Sequence, residues 1–123
     1  MKIRHAGVYK IMGSFGKYLR RTQTGYLHWC PGCDEAHHIS TDCKNHCGAQ
    51  WSFNGSAESP TFSPSINMPG ICHYFIKGGM IQFLSDSRHK LSGQTVPLPV
   101  FGEHQDPDVD ALTWMMNKDK SDG

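Results

Sequence analysis

The stretch Cys30-Pro31-Gly32-Cys33 constrains this chain more than any other. Two thiols separated by two residues come together only across a tight turn, and Gly32 lets the backbone make one. Tyr26-Leu27-His28-Trp29 before the turn has strand character, and His37-His38-Ile39-Ser40-Thr41 after it reads as the returning strand. Residues 26–41 therefore predict a hairpin tipped by a metal-binding knuckle. A redox role is disfavoured because no helical pattern follows Cys33, and redox pairs of this spacing normally open a helix. Zn2+ is the expected ion, because it takes thiolate and imidazole ligands in a tetrahedron.

At 123 residues the chain has the length of one domain, residues 1–123, whose thin core a metal staple would support. Its five cysteines are an odd number, which in a reducing compartment reads as metal binding before disulfide formation. No apolar run approaches the ~20 residues that span a bilayer. Met1-Lys2-Ile3-Arg4-His5 is not followed by a signal-peptide apolar stretch, so a cytoplasmic protein without membrane contact is expected. Net charge is only +1, yet residues 1–24 carry Lys2, Arg4, Lys10, Lys17, Arg20 and Arg21 and no acidic residue. This basic N-terminal segment could meet nucleic acid or an acidic partner. Without a nucleic-acid motif, a solvated edge balancing the acidic tail is the simpler reading.

Periodicity predicts a mainly β domain with one short helix. Residues 1–24 show no clear period, since Gly13 and Gly16 interrupt the weak apolar signal. The strongest local pattern is a hairpin over residues 72–85 closed by Gly78-Gly79. That turn pairs Lys77 with Met80, Ile76 with Ile81 and Tyr74 with Phe83, leaving Cys72 on the apolar face and His73 on the opposite one. Gln50-Trp51-Ser52-Phe53 reads as a further strand. Pro60 and Pro64 confine residues 59–66 to an extended edge or loop, and Pro97 and Pro99 do the same for residues 95–102. Asp106-Pro107-Asp108 is a helix start, and Val109, Leu112 and Met116 make residues 106–117 an amphipathic helix.

Spacing leaves the other two zinc ligands open. Cys43 and Cys47 would complete a compact four-cysteine ribbon; His37 with a residue of the 72–85 hairpin would complete a mixed site.

The order C-P-G-C-x-x-x-H, W-S-F-N-G, P-T-F-S-P-S-I, C-H-Y-F-I-x-x-G-x-I-Q-F-L-S-D and H-K-L-S-G-Q-T-V resembles a family of small phage and prophage proteins without an established function, over residues 26–99. The resemblance implies phage origin, and a location in the host cytoplasm or in the virion. It also implies Cys30, Cys33, His37 and His73 as the zinc set; on the residues themselves Cys72, His89, Cys43 and Cys47 stand in reserve. The chain departs from the family pattern at Ser87, where a cysteine is expected.

A closed site of two cysteines and two histidines is structural far more often than catalytic. The leading expectation is thus a phage-encoded accessory protein that presents a rigid surface to a phage or host protein, with enzyme activity left open and favoured less. Lys2, Arg4, Lys17, Arg20, Arg21, Pro60, Thr61 and Ser65 are the candidate contact residues, and homo-oligomers are open. Two alternatives stand beside it. One is a zinc-dependent hydrolase with Asp86 or His89 as base and hydroxyls from Thr61, Ser63 and Ser65 nearby in sequence. The other is a knuckle that binds nucleic acid through the basic segment, Tyr26 and Trp29.

Overall fold

The computed structural model describes residues 10–102, which form nine strands in two antiparallel sheets and contain no helix. The helix expected at 106–117, and Lys2 and Arg4, lie outside the described residues.

The first sheet runs in chain order: β1 (Ile11–Phe15), β2 (Leu19–Thr22), β3 (Gly25–Cys30) and β4 (Glu35–Ser40). The second is β5 (Ser52–Phe53), β6 (Phe62–Met68), β7 (Cys72–Lys77), β8 (Met80–Phe83) and β9 (Thr95–Pro97). All connections join neighbours, so both sheets are meanders. One apolar core draws on both, with Leu19 and Ile39 from the first and Phe62, Ile66, Tyr74 and Ile81 from the second.

β3 and β4 pair from Gly25 with Ser40 to Cys30 with Glu35, so the thiol turn is the tip of this hairpin. Asp34 takes the left-handed conformation (φ 58°) and its N–H donates to the Cys30 carbonyl at 2.8 Å. Aspartate is among the few residues that tolerate that conformation. The 72–85 hairpin has the register its Gly-Gly turn dictates, from Lys77 with Met80 to Tyr74 with Phe83.

Two segments differ from their sequence pattern. Residues 11–22 form the β1–β2 hairpin despite their irregular apolar spacing, because the strand is bulged between Ile11 and Gly13 and only Ile11, Leu19 and Thr22 are fully buried. Residues 62–68 form an interior strand rather than an edge or loop. Pro64 is accommodated because Ser63, Pro64 and Ser65 fall in an irregular stretch of the β6–β7 ladder, between the Phe62–Ile76 and Ile66–Tyr74 pairs, where regular pairing is suspended. β9 is an edge strand, as its prolines require.

Candidate active site and metal centre

Two constellations lie on opposite faces of β7, because Cys72 and His73 are successive residues and point to opposite sides.

On one face, the irregular stretch of β6 brings Ser65 to His73. The Ser65 hydroxyl lies 3.0 Å from His73 Nε2, and His73 Nδ1 lies 3.0 Å from Asp86 Oδ2 and 3.2 Å from Oδ1. A carboxylate only accepts, so Nδ1 carries the proton, Nε2 accepts, and Ser65 donates to it. This is the connectivity of a Ser-His-Asp relay: nucleophile to base, base to orienting carboxylate. The His73 side chain is 23% exposed and that of Asp86 63%, so the relay opens to solvent. Ser87 fastens it from behind, accepting from the His73 N–H at 3.0 Å and donating to the His73 carbonyl at 2.9 Å. A cleft of about 410 Å³ adjoins Ser65, with Gly48, Trp51, Pro64 and Asn67 on its walls; none of its lining residues carries a charge.

On the other face, Cys30, Cys33, Cys72 and His89 bring three sulfurs and a ring nitrogen within 4.8 Å of one another. Cys30 Sγ is 4.0 Å from Cys72 Sγ, and Cys72 Sγ is 3.2 Å from His89 Nε2. A tetrahedron with ~2.3 Å metal–sulfur bonds has edges of about 3.8 Å, so these separations suit one ion. The knuckle is preorganised: the Cys33 N–H donates to Cys30 Sγ at 3.4 Å. Gly32 is required by close approach, since a Cβ there would stand 2.1 Å from His89 Cε1. Hydrogen bonding from the neighbouring Cys30 thiol holds the Cys33 thiol far below its ordinary range, while the shared bond with Cys33 pushes Cys30 up to about 12. Cys72 is driven up by the same two neighbours. The three thiols thus resist joint ionisation, and a cation among them removes that repulsion. This cluster could hold a metal ion.

The residues expected to bind metal are divided between these places. Cys30 and Cys33 sit in the cluster with Cys72 and His89. His73 belongs to the serine relay. His37 forms a second, smaller group with Cys33 and Glu35, also within 4.8 Å. Its ring is already engaged, Nδ1 at 3.0 Å from the Tyr74 hydroxyl and Nε2 at 3.3 Å from Glu35. Cys43 and Cys47 are exposed and belong to neither group.

The expected contact residues have internal work. Arg20 lies over the Phe101 ring at 4.8 Å and donates to its carbonyl at 3.0 Å. Arg21 pairs with Asp42 and covers Tyr26, and Lys17 lies 5.4 Å from the Tyr18 ring centroid. The Pro60 carbonyl accepts from Gly79 and the Thr61 hydroxyl from Gly78, bracing the β7–β8 turn. Trp29 is buried. No helix among the described residues is long and apolar enough to cross a membrane.

The sequence places Ser65 and Asp86 together only in the hydrolase alternative and assigns His73 to metal, so it does not show the relay. No spacing signals it: Ser65, His73 and Asp86 meet only once the irregular strand faces β7.

Residues 8–84, more than half of the chain, match the family model described as bacterial ubiquitination-like system serine protease (BubE). The chain belongs to that family. No curated protein and no solved structure matches it. The family overturns the expectation of a phage accessory protein presenting a rigid surface: its description is that of a bacterial protease.

Proposed function

We propose that this member of the BubE family is a serine peptidase with Ser65 as nucleophile, His73 as general base and then acid, and Asp86 as the carboxylate that orients His73. The observation that carries this reading is the continuous relay from the Ser65 hydroxyl through His73 to Asp86, with 3.0 Å at each link. Its chain order, serine then histidine then aspartate, is immaterial, since such relays are defined by geometry.

These residues supply the nucleophile, the proton carrier and its orienting carboxylate for an acyl transfer. Ser65 Oγ attacks the scissile carbonyl carbon while His73 Nε2 takes the hydroxyl proton. The C–N bond then breaks, His73 passes that proton to the departing amine, and the acyl group stays on Ser65. Water, deprotonated by His73, attacks the ester and releases the acid and the free hydroxyl. Asp86 keeps the proton on Nδ1 and offsets the imidazolium charge.

The family's place in a ubiquitination-like system supports a protein substrate. The uncharged cleft beside Ser65 suits an extended segment with neutral side chains flanking the cut bond.

Zn2+ is the ion that best fits the three-sulfur, one-nitrogen cluster, because soft thiolates select it. Four protein ligands close its coordination shell, so its part is structural and the chemistry stays on Ser65.

A fluorophosphonate probe followed by peptide mapping tests the nucleophile. Modification at Ser65, lost together with peptidase activity in Ser65→Ala, is the expected outcome. Undiminished hydrolysis by Ser65→Ala excludes the reading.

A further inference from the structure

The metal cluster and the serine relay are built from the same two pieces of chain. Cys72 precedes His73 on β7, and His89 lies three residues after Asp86. Hydrogen bonds fasten the segment that presents Asp86 on both sides of it, and the Leu91 N–H donates to His89 Nδ1 at 3.2 Å. Ser87 grips the His73 backbone through both its N–H and its carbonyl. The Arg88 N–H donates to the Ile71 carbonyl at 2.9 Å, and the Ser87 N–H to the Leu84 carbonyl at 3.1 Å. His89 is the residue that anchors the far end, stacked edge-on against Phe83 at 4.6 Å and touching Cys72. Asp86 itself is mostly exposed, so no packing holds its carboxylate in place.

We propose that a metal ion held by Cys30, Cys33, Cys72 and His89 sets the separation of Asp86 and His73, and hence the turnover of the serine relay, without meeting substrate. The proposal rests on the peptidase reading above. Cys72 and His89 are then positioning residues: they tie the strand that bears the base and the segment that bears its carboxylate to one point on the β3–β4 knuckle. Cys30 ends β3 and Cys33 sits in the β3–β4 turn, so the ion also fixes β7 against that hairpin of the other sheet. Loss of the ion frees the 86–89 segment at its far end. The hydrogen bond from His73 Nδ1 to Asp86 is then made in a smaller share of molecules. The cleft beside Ser65 draws none of its walls from the cluster, so substrate binding is left largely unchanged. The signature is therefore a fall in kcat with KM nearly constant.

The test uses the full chain purified with Zn2+, stripped by a chelator, and reloaded with Zn2+, Co2+ or Cd2+. Metal content, the visible spectrum of the Co2+ form, the rate of fluorophosphonate modification at Ser65, and kcat and KM on an ester substrate are measured. About one ion per chain and the intense bands of tetrahedral thiolate-bound Co2+ are expected. Stripping is expected to slow Ser65 modification and kcat about 10–100-fold, with KM changed by less than about twofold and Zn2+ restoring both. A stripped chain that remains folded and keeps its full modification rate overturns the proposal. Should stripping unfold the chain, the Cd2+ form decides, because its longer bonds to sulfur shift the same ligands. A lower kcat at constant KM then supports the proposal, and identical turnover with Zn2+ and Cd2+ overturns it. Failure of the Zn2+ form to react at Ser65 overturns the peptidase reading and this proposal with it, whereas metal content and the Co2+ spectrum still report on the cluster alone.

Discussion

In the role of orienting carboxylate proposed for it, Asp86 is unusual because 63% of its side chain meets water. Buried, such a group both locks the histidine tautomer and supplies a strong local field, and its removal costs ~10⁴ in kcat. Water already solvates an imidazolium at an open site, so Asp86 supplies mainly orientation. Asp86→Asn is expected to lower kcat about 10–100-fold, whereas His73→Ala removes the proton carrier and lowers it about 10³-fold or more. Steady-state rates of the two variants check this ranking; equal losses would assign Asp86 a larger electrostatic part. Cys72 shows the same dependence on surroundings. A buried cysteine on an apolar strand face is ordinary packing on its own. It becomes a candidate ligand because two further sulfurs and His89 converge on it.

At the scale of elements, the β3–β4 turn and the 86–89 segment fit together through Gly32. A side chain at position 32 would occupy the space of the His89 ring, with a Cβ 2.3 Å from Nε2. Gly32→Ala must therefore displace His89 while leaving Cys30, Cys33 and Cys72 in place. Metal affinity is expected to fall about tenfold or more, measured by competition with a chromophoric chelator, with little change in β-sheet content by circular dichroism. Strand β6 is the second element that matters. Three of its residues, Ser63, Pro64 and Ser65, stand where β7 offers only Phe75, and this mismatch turns Ser65 toward His73. Irregular strands recur beside active sites for this reason: they re-aim a side chain that a regular ladder would lock into alternation.

At the scale of the described molecule, the two sheets are joined by buried polar contacts as well as by apolar packing. The Tyr74 hydroxyl of β7 lies 2.6 Å from His28 Nε2 on β3 and 3.0 Å from His37 Nδ1 on β4. Burial, reinforced by the nearby thiols, pushes the Tyr74 phenol well above its ordinary range, so it stays neutral and bridges by donating to one imidazole and accepting from the other. Tyr74→Phe deprives two buried ring nitrogens of that partner at unchanged shape. A loss of about 2 kcal/mol is expected, lowering Tm by roughly 6–12 °C in a domain of this size. A melt within about 2 °C of the parent chain would show that the bridge adds nothing beyond packing.

How much was legible from residues alone follows from the range of each interaction. The register of the 72–85 hairpin and the presence of the knuckle hairpin are legible, because a Gly-Gly turn and a C-x-x-C turn act over a few residues; the strand ends differ, β8 stopping at Phe83 and β3 and β4 running Gly25–Cys30 and Glu35–Ser40. The β1–β2 hairpin was not, since a bulge spoils its alternation and only the neighbouring β3 explains it. Among the site residues, Cys30 and Cys33 were legible as a pair because their spacing is itself the signal. Alternation along β7 also separated Cys72 from His73 correctly. That Cys72 joins the thiol cluster while His73 meets Ser65 and Asp86 is decided by tertiary structure alone. No local pattern encodes a contact between an irregular strand, its neighbour and the segment beyond the next hairpin. Such contacts exist only after two sheets have closed on one core.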